Sequence, residues 1–465
     1  MKRNLLLVAT GMIVAIAVLA ALRATAWPFK DGETPTLAPL LARVTPAVVN
    51  IAVVGTAAES RDPLLDDPFF RRFFEGPEAP LAPPSVPRQS IGSGVIIDAA
   101  EGLVVTNHHV VQGADSIVVT LSDRREFNAI LVGSDAGTDV ALLRVMAEGA
   151  AFAEIPIGDS SALAVGDYVV AIGNPFGLGQ TATAGIVSAT GRSGVNLESY
   201  EDFIQTDASI NPGNSGGALV DLGGQLLGVN TAILSGTGGN IGIGFAIPSN
   251  MVREVVEQLL EHGNVQRGRI GLAIQDVTPG LAQALELSTD RGALVTQIEP
   301  GSSAEQAGIQ AGDVIVAIDG KPIDSSSDLR NEIGLIRAGD SVEVASIRDG
   351  EPRTTRATVA ADTGGSAAGA RAADPASVSL LAGATIMELP SDHPAYGRVH
   401  GLWVSAVAAG SAAARFGLRT DDVITGVNRE PIASVAELTA ALNRARPPIA
   451  LQVQRDGRSL FLLVR

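Results

Sequence analysis

The spacing of apolar positions changes several times along the chain, and each change marks a segment. Lys2 and Arg3 precede a predominantly apolar run from Leu5 to Leu22, and Ala24-Thr-Ala26 follows it. A basic start, an apolar core and small residues before a cleavage point make an export signal. The run is also close to the length of a short membrane span. Residues 1–26 therefore read as a signal peptide or an uncleaved anchor, and either reading puts the bulk of the chain outside the cytoplasmic membrane, because the positive end stays inside.

Val48-Val-Asn-Ile-Ala-Val-Val54 is a strand pattern, broken by residues 56–90, which are rich in Pro and acidic groups. Within that loop, Asp67-Pro-Phe-Phe-Arg-Arg-Phe-Phe-Glu75 repeats paired aromatics four residues apart, on one helical face. From Ile91 to Leu143 short β-branched stretches alternate with Gly, Asp and Asn turns, the pattern of an antiparallel barrel, and residues 155–250 read as a second one. Ser249 to His262 has helical spacing, with Met251, Val255, Leu259 and Leu260 on one side and Gly263 as a stop. Beyond it the chain repeats. Gly301-Ser-Ser-Ala304 and Gly410-Ser-Ala-Ala413, Asp313-Val-Ile315 and Asp422-Val-Ile424, and Pro322-Ile323 and Pro431-Ile432 each stand 109 residues apart. Residues 361–378, rich in Ala, Gly, Ser and Asp and without periodicity, read as a flexible linker between two copies of one module.

The 465 residues suffice for roughly three domains. A net charge of −17 argues against a nucleic-acid partner, which calls for clustered Lys and Arg. With no cysteine, disulfides, thiolate catalysis and Cys-ligated metal sites are excluded, and no metal or cofactor is expected.

Candidate chemistry gathers at Asp207-Ala-Ser-Ile-Asn-Pro-Gly-Asn-Ser-Gly-Gly217. A serine hydroxyl such as that of Ser215 needs a base within hydrogen-bond reach and a group to orient the base. Thr106-Asn-His-His-Val110 offers the base and Gly137-Thr-Asp-Val-Ala-Leu-Leu143 the carboxylate. Asp139, directly before a buried-strand run, is preferred to Asp135. The N–H groups of Gly213 and Ser215, with Asn214 between them, are the candidate oxyanion donors. Gly213-Asn-Ser-Gly-Gly217 also fits a nucleophile elbow, but that fold wants a helix after the serine and a later histidine. Strand, turn and strand follow here instead. Adjacent His108 and His109 would point to opposite faces of a strand, which argues against a shared metal.

Six segments resemble the HtrA/Deg family of serine proteases: Thr106-Asn-His-His-Val-Val111, Thr138-Asp-Val-Ala-Leu-Leu143, Gly173-Asn-Pro-Phe-Gly177, Phe203-Ile-Gln-Thr-Asp207, Gly213-Asn-Ser-Gly-Gly217 and Gly242-Ile-Gly-Phe-Ala-Ile-Pro248. They stand in family order with family-like spacing. The resemblance implies a mainly β fold: a chymotrypsin-like double six-stranded β-barrel protease domain over 38–255, with its long loop at 56–90, then PDZ domains at 264–360 and 380–465. It selects His109 as the base, since the family commonly fills the position of His108 with asparagine. It implies a small apolar substrate pocket formed by Ser209, Ile210, Asn230, Thr231 and Ala232, Ser209 standing where trypsin-like enzymes place a carboxylate. It makes 174–179, 192–200 and 233–241 mobile activation loops, with Phe176 and Arg192 as signalling residues. It further implies an ATP-independent periplasmic endopeptidase of protein quality control, acting on unfolded polypeptide and assembled as trimer-based homo-oligomers. The alternatives are a chaperone or scaffold, and a membrane-anchored stress sensor with one target. An intact triad argues against the first as sole activity, and two PDZ copies against the second.

In the first PDZ copy, Arg267-Gly-Arg-Ile-Gly-Leu-Ala-Ile274 resembles the family's carboxylate-binding loop, with Arg267, Ile270, Gly271 and Leu272 facing a peptide's C-terminus. The matching stretch of the second copy, Gly383-Ala-Thr-Ile-Met387, is expected to lack the apolar-Gly-apolar core and to bind weakly.

Overall fold

The computed structural model describes residues 36–55, 88–147, 149–174, 179–193, 200–211, 213–233, 240–361, 381–390 and 393–464. The expected leader, almost all of the 56–90 loop, Phe176, the linker beyond Ala361 and the middles of the three activation loops lie outside them. The described chain divides into two units, an N-terminal one reaching Asn264 and a C-terminal one from Val265 that also takes in Tyr200–Asp202.

In the N-terminal unit, helix α1 (Ala38–Val44) leads into strands β1 (Val48–Gly55), β2 (Arg88–Asp98) and β3 (Leu103–Thr106). The one-turn helix α2 (His108–Val111) follows, then β4 (Ser116–Thr120), β5 (Glu126–Asp135) and β6 (Val140–Val145). These six strands close in the order β1-β2-β3-β6-β5-β4. A second closed barrel is built from β7 (Tyr168–Gly173), β8 (Thr181–Arg192), β9 (Phe203–Thr206), β10 (Ala218–Val220), β11 (Leu226–Ile233) and β12 (Gly244–Pro248), in the order β10-β11-β12-β9-β8-β7. Closure removes the free strand edges that would otherwise pair with other chains. β-branched and aliphatic side chains fill the interiors. Ile51, Ile96, Leu142, Ile172 and Leu219 are each fully buried, and such a side chain contributes about 1.5–3 kcal/mol.

Helix α3 (Ser249–His262) packs against β5, β6, β11 and β12, and so ties the two barrels together. Its buried face is Met251, Val252, Val255, Val256 and Leu259. Leu260, expected on that face, is 43% exposed, because the stripe runs through i, i+1, i+4, i+5 and i+8 instead. Gly263 ends the helix at φ 74°, its N–H on the Leu259 carbonyl, a left-handed cap that costs glycine little.

The C-terminal unit holds two modules of one design. The first orders β13 (Leu272–Asp276), β14 (Ala293–Ile298), β15 (Val314–Ile318), β16 (Ser341–Arg348) and β17 (Glu351–Thr358) along one sheet, with helix α4 (Ser326–Leu335) over it. The second orders β18 (Ala384–Glu388), β19 (Leu402–Val407), β20 (Val423–Val427), β21 (Ile449–Arg455) and β22 (Arg458–Val464) in the same way, with helix α5 (Val435–Arg444). The Asp-Val-Ile repeat has a structural cause. The Asp313 and Asp422 carboxylates are at most 1% exposed, and each takes a two-pronged guanidinium, from Arg348 (2.5 and 2.7 Å) and Arg455 (2.7 and 2.7 Å). Removing either arginine would leave a buried charge uncompensated, at about 3–5 kcal/mol.

Tyr200–Asp202 packs within this unit. The Tyr200 ring lies 3.9 Å from the Arg267 guanidinium, and Asn331 Nδ2 donates to the Glu201 carbonyl (2.6 Å). Burial pushes the Asp202 carboxyl up to about 6, with the charges of Asp328 and Glu332 on α4 adding to it. A carboxyl raised above its ordinary value contributes most when neutral. Its contribution is complete only below about pH 4 and is lost as the pH rises towards 6. Asp202→Asn should therefore stabilise the C-terminal unit at pH 7 by at most about 3 kcal/mol, with a gain that shrinks as the pH falls to 4. Thermal melts across that range check this, and a gain independent of pH would contradict it.

Candidate active site

Three turns carry the candidate residues. His109 stands on α2, directly after β3, and not on a strand as expected. Asn107 precedes the helix in extended conformation, and its Nδ2 donates to the Asp139 carbonyl (3.0 Å). The His108 N–H donates to that same carbonyl (3.1 Å), whereas the His108 ring turns away to Ser134 Oγ (3.0 Å from Nδ1). Asp139 lies in the turn between β5 and β6 at φ 56°, a left-handed conformation that aspartate tolerates better than most residues. Asp135 spends its carboxylate within that turn, accepting from the Thr138 N–H (2.9 Å) and hydroxyl (2.6 Å).

The Asp139 carboxylate gathers three donor groups. His109 Nδ1 lies 3.0 and 2.9 Å from its two oxygens, the His109 N–H donates to Oδ1 (3.0 Å), and Thr231 Oγ1 donates to Oδ2 (2.6 Å). Burial alone would raise this carboxyl. The imidazole charge and the hydrogen bonds from His109 and Thr231 outweigh it and hold the group below the ordinary value. Thr231 belongs to β11 of the other barrel, so the cluster spans both. Its carbonyl also receives the Ser215 hydroxyl (3.1 Å).

Ser215 sits in a loop with little steric room. Gly213 (φ 95°) and Gly216 (φ 82°) both occupy left-handed conformations, and a Cβ on Gly216 would collide with the Ser93 carbonyl and the Thr106 hydroxyl. The Gly216 N–H donates to the Asn230 carbonyl (2.8 Å), and the Asn230 N–H to that of Gly217 (2.9 Å). The Asn214 N–H closes a turn onto the Asn211 carbonyl (2.9 Å), so of the three expected oxyanion residues its donor is committed within the loop.

The expected pocket residues divide. Ser209 is half-buried, and its carbonyl accepts from Thr183 Oγ1 (2.8 Å). Ile210, 1% exposed, belongs to the core of the second barrel. Asn230 is fully buried and donates to the Ala218 carbonyl (3.0 Å). Ala232 pairs with Phe245 across β11 and β12. Arg192, on the loop expected to carry signals, donates from Nε to Gln205 Oε1 (3.0 Å). Among the described residues no group of three or more His, Cys, Asp or Glu stands close enough together to hold a metal ion.

In the first C-terminal module Gly271 takes φ 82°, its carbonyl accepts from the Glu299 N–H (3.0 Å), and a Cβ there would strike Ser302. Gly383 repeats this in the second, at φ 91°, with the Ala408 N–H (2.7 Å) and Ser411. The expectation that the second copy lacks the apolar-Gly-apolar core is thus corrected. Ala382-Gly383-Ala384 occupies the place of Ile270-Gly271-Leu272, hidden in the sequence because three residues shift the register. The modules differ in the strand that follows. Leu272 and Ile274 are half-exposed, whereas Ala384 (4%) and Ile386 (0%) are buried. Arg267 lies under Tyr200, and Ile270 is 5% exposed with its carbonyl on the Ala304 N–H.

Neither Thr231, as a donor to Asp139, nor Ser93, which contacts Ser215, stood out in the sequence. Thr231 gave no signal, being 92 residues from its partner. For Ser93 there was one, since Gly92-Ser-Gly94 inside a strand marks a close backbone approach.

Residues 92–229 match the trypsin-like peptidase domain, and residues 268–359 and 403–455 each match a PDZ domain. The chain is 44% identical over 468 residues to the periplasmic pH-dependent serine endoprotease DegQ of Escherichia coli K12, covering all of both chains. It is 43% identical to the periplasmic serine endoprotease DegP of Salmonella typhimurium, over 93% of this chain and 92% of that one. Among solved structures, the HtrA-type protease AlgW with tripeptide aligns at 40% identity and a TM-score of 0.56, over 71% of this chain and 99% of the other.

Proposed function

The chain belongs to the HtrA-type serine endoproteases that include DegQ and DegP, and from that premise we propose which of its residues carry the reaction and what they act on. It is a serine endopeptidase. Ser215 is the nucleophile, His109 the general base and Asp139 the group that orients it. The observation that carries this reading is the single carboxylate that accepts from both the His109 ring and Thr231, whose carbonyl in turn receives the Ser215 hydroxyl. For attack, the Ser215 proton leaves the Thr231 carbonyl for His109 Nε2 as Oγ bonds to the scissile carbon. Asp139 stabilises the imidazolium, which then protonates the leaving amine. The N–H groups of Gly213 and Ser215 receive the oxyanion. A water activated by His109 completes hydrolysis.

The substrates are unfolded polypeptides met in the periplasm, where DegQ and DegP are named as acting. The export signal at 1–26 and a trimer-based homo-oligomer are parts of the same reading. The first PDZ module (264–360) takes C-terminal peptides: the edge strand β13 offers backbone pairing, Gly271 lets the loop's N–H groups face a carboxylate, and half-exposed Leu272 and Ile274 offer apolar contact. The second (380–465) has the loop, but its corresponding strand is closed over by its own core.

In casein digestion, Ser215→Ala should abolish cleavage with fold intact, and Asp139→Asn should lower kcat about 10⁴-fold through the wrong imidazole tautomer. His108→Asn should stay active, and a dead His108→Asn beside an active His109→Asn would reverse the assignment of the base. For the modules, a labelled peptide ending in an apolar residue is titrated against full-length Gly271→Val and Gly383→Val. The first should lose binding and the second keep it, and amidating the peptide's carboxylate should abolish binding to the unmodified chain. Equal losses in both variants, or indifference to amidation, would refute the asymmetry.

A further inference from the structure

Ser93, in the middle of β2, is fully buried, and each of its polar atoms is committed to the active-site loops. Its N–H donates to the carbonyl of Ser215 itself (2.8 Å), and its own carbonyl accepts from Thr106 Oγ1 (2.7 Å), three residues before the base. The hydroxyl lies between two backbone groups, the Asn174 N–H (2.8 Å) and the Gly213 carbonyl (2.5 Å). An N–H can only donate, so the single hydroxyl proton must point at Gly213. The Asn174 carbonyl is held in turn by Asn50 Nδ2 (3.0 Å).

The Gly213 carbonyl belongs to the 213–214 peptide and the Ser215 carbonyl to the 215–216 peptide, so Ser93 holds both neighbours of the 214–215 peptide, whose N–H is the Ser215 oxyanion donor. At φ 95° Gly213 has neighbouring orientations open to it. Turning the 213–214 peptide would strip the Ser93 proton of its acceptor in a fully buried place, where an unmade hydrogen bond is most costly. The strand is shaped to bring Ser93 this close: a Cβ on Gly92 would stand 2.8 Å from the Val110 methyls and 3.3 Å from the Ser215 carbonyl.

We propose that Ser93 is a positioning residue for acyl transfer, its hydroxyl joining the Gly213 carbonyl to Asn174 and its N–H holding the Ser215 carbonyl, so that the peptide bearing the Ser215 oxyanion donor is fixed on both sides. The inference rests on the reading of the Ser215 N–H as that donor. Ser93 touches neither substrate nor the reacting atoms, so its loss acts on the transition state through backbone geometry.

The test compares wild type with Ser93→Ala on a peptide amide substrate, and measures inhibition by the matching peptidyl aldehyde, which forms a tetrahedral adduct and needs the oxyanion donors. Ser93→Cys keeps the volume with a poor hydrogen-bonding group and carries the test if the alanine variant melts below the assay temperature. The expected result is a kcat lower by about 10- to 100-fold with KM within about twofold, less than or equal to the loss of a direct oxyanion donor. The aldehyde should weaken by the same factor as kcat/KM falls. Wild-type kcat in a folded variant, a loss confined to KM, or an unchanged aldehyde constant would each overturn it. Failure here is separable from failure of the catalytic reading: a dead Ser215→Ala beside a fully active Ser93→Ala sinks only the role of Ser93, and an active Ser215→Ala sinks the catalytic assignment itself.

Discussion

The arrangement of the protease unit turns on one carboxylate that is charged and largely shielded from water. Removing a carboxylate from water costs several kcal/mol unless hydrogen bonds replace the lost hydration. Asp139 has three donor groups, and bonds to an ionised acceptor contribute about 1.5–3 kcal/mol each. The donors come from different elements. His109 stands on the turn after β3, and Thr231 on a strand of the second barrel. The two barrels must therefore be in register for Asp139 to stay ionised, and the same register brings Ser215 to the Thr231 carbonyl. Barrel closure, the α3 strap and the charge state of one side chain are linked.

The nucleophile loop obeys a second constraint, of space. Gly216 lies against the Ser93 carbonyl, Gly217 against that of Ile172, and the Gly213 carbonyl accepts from the Ser93 hydroxyl. The C-terminal modules use glycine in another way. Gly271 and Gly383 adopt the same left-handed conformation beside Ser302 and Ser411, so the loop persists in both copies while the adjoining strand has diverged in exposure.

Much of this could be read from the sequence, for identifiable reasons. Barrel strands declared themselves through β-branched runs between glycine turns, and the repeated modules through motifs at a fixed spacing, whose aspartates the buried Asp313–Arg348 and Asp422–Arg455 pairs now explain. Asp139 stood out because it precedes a fully buried run. What the sequence hides is tertiary in origin. His108 and His109 stand on a helical turn and not on a strand, and Asn107 is a favoured residue before a helix. The resemblance implies Ile210 and Asn230 at a substrate pocket, and in the barrel both side chains are buried. Thr231 could not be assigned its bond to Asp139 from spacing at all. The second module's loop escaped notice because the fixed repeat fails by three residues just there.

In the proposed mechanism one serine, activated by this carboxylate and imidazole, performs the cleavage. The most direct measurement is covalent: the full-length protein is incubated with diisopropyl fluorophosphate, digested, and the adduct located by peptide mass mapping. A single adduct on Ser215, formed in parallel with the loss of casein-cleaving activity, is the result this account predicts. An adduct on another residue, or complete loss of cleavage with Ser215 unmodified, would contradict it.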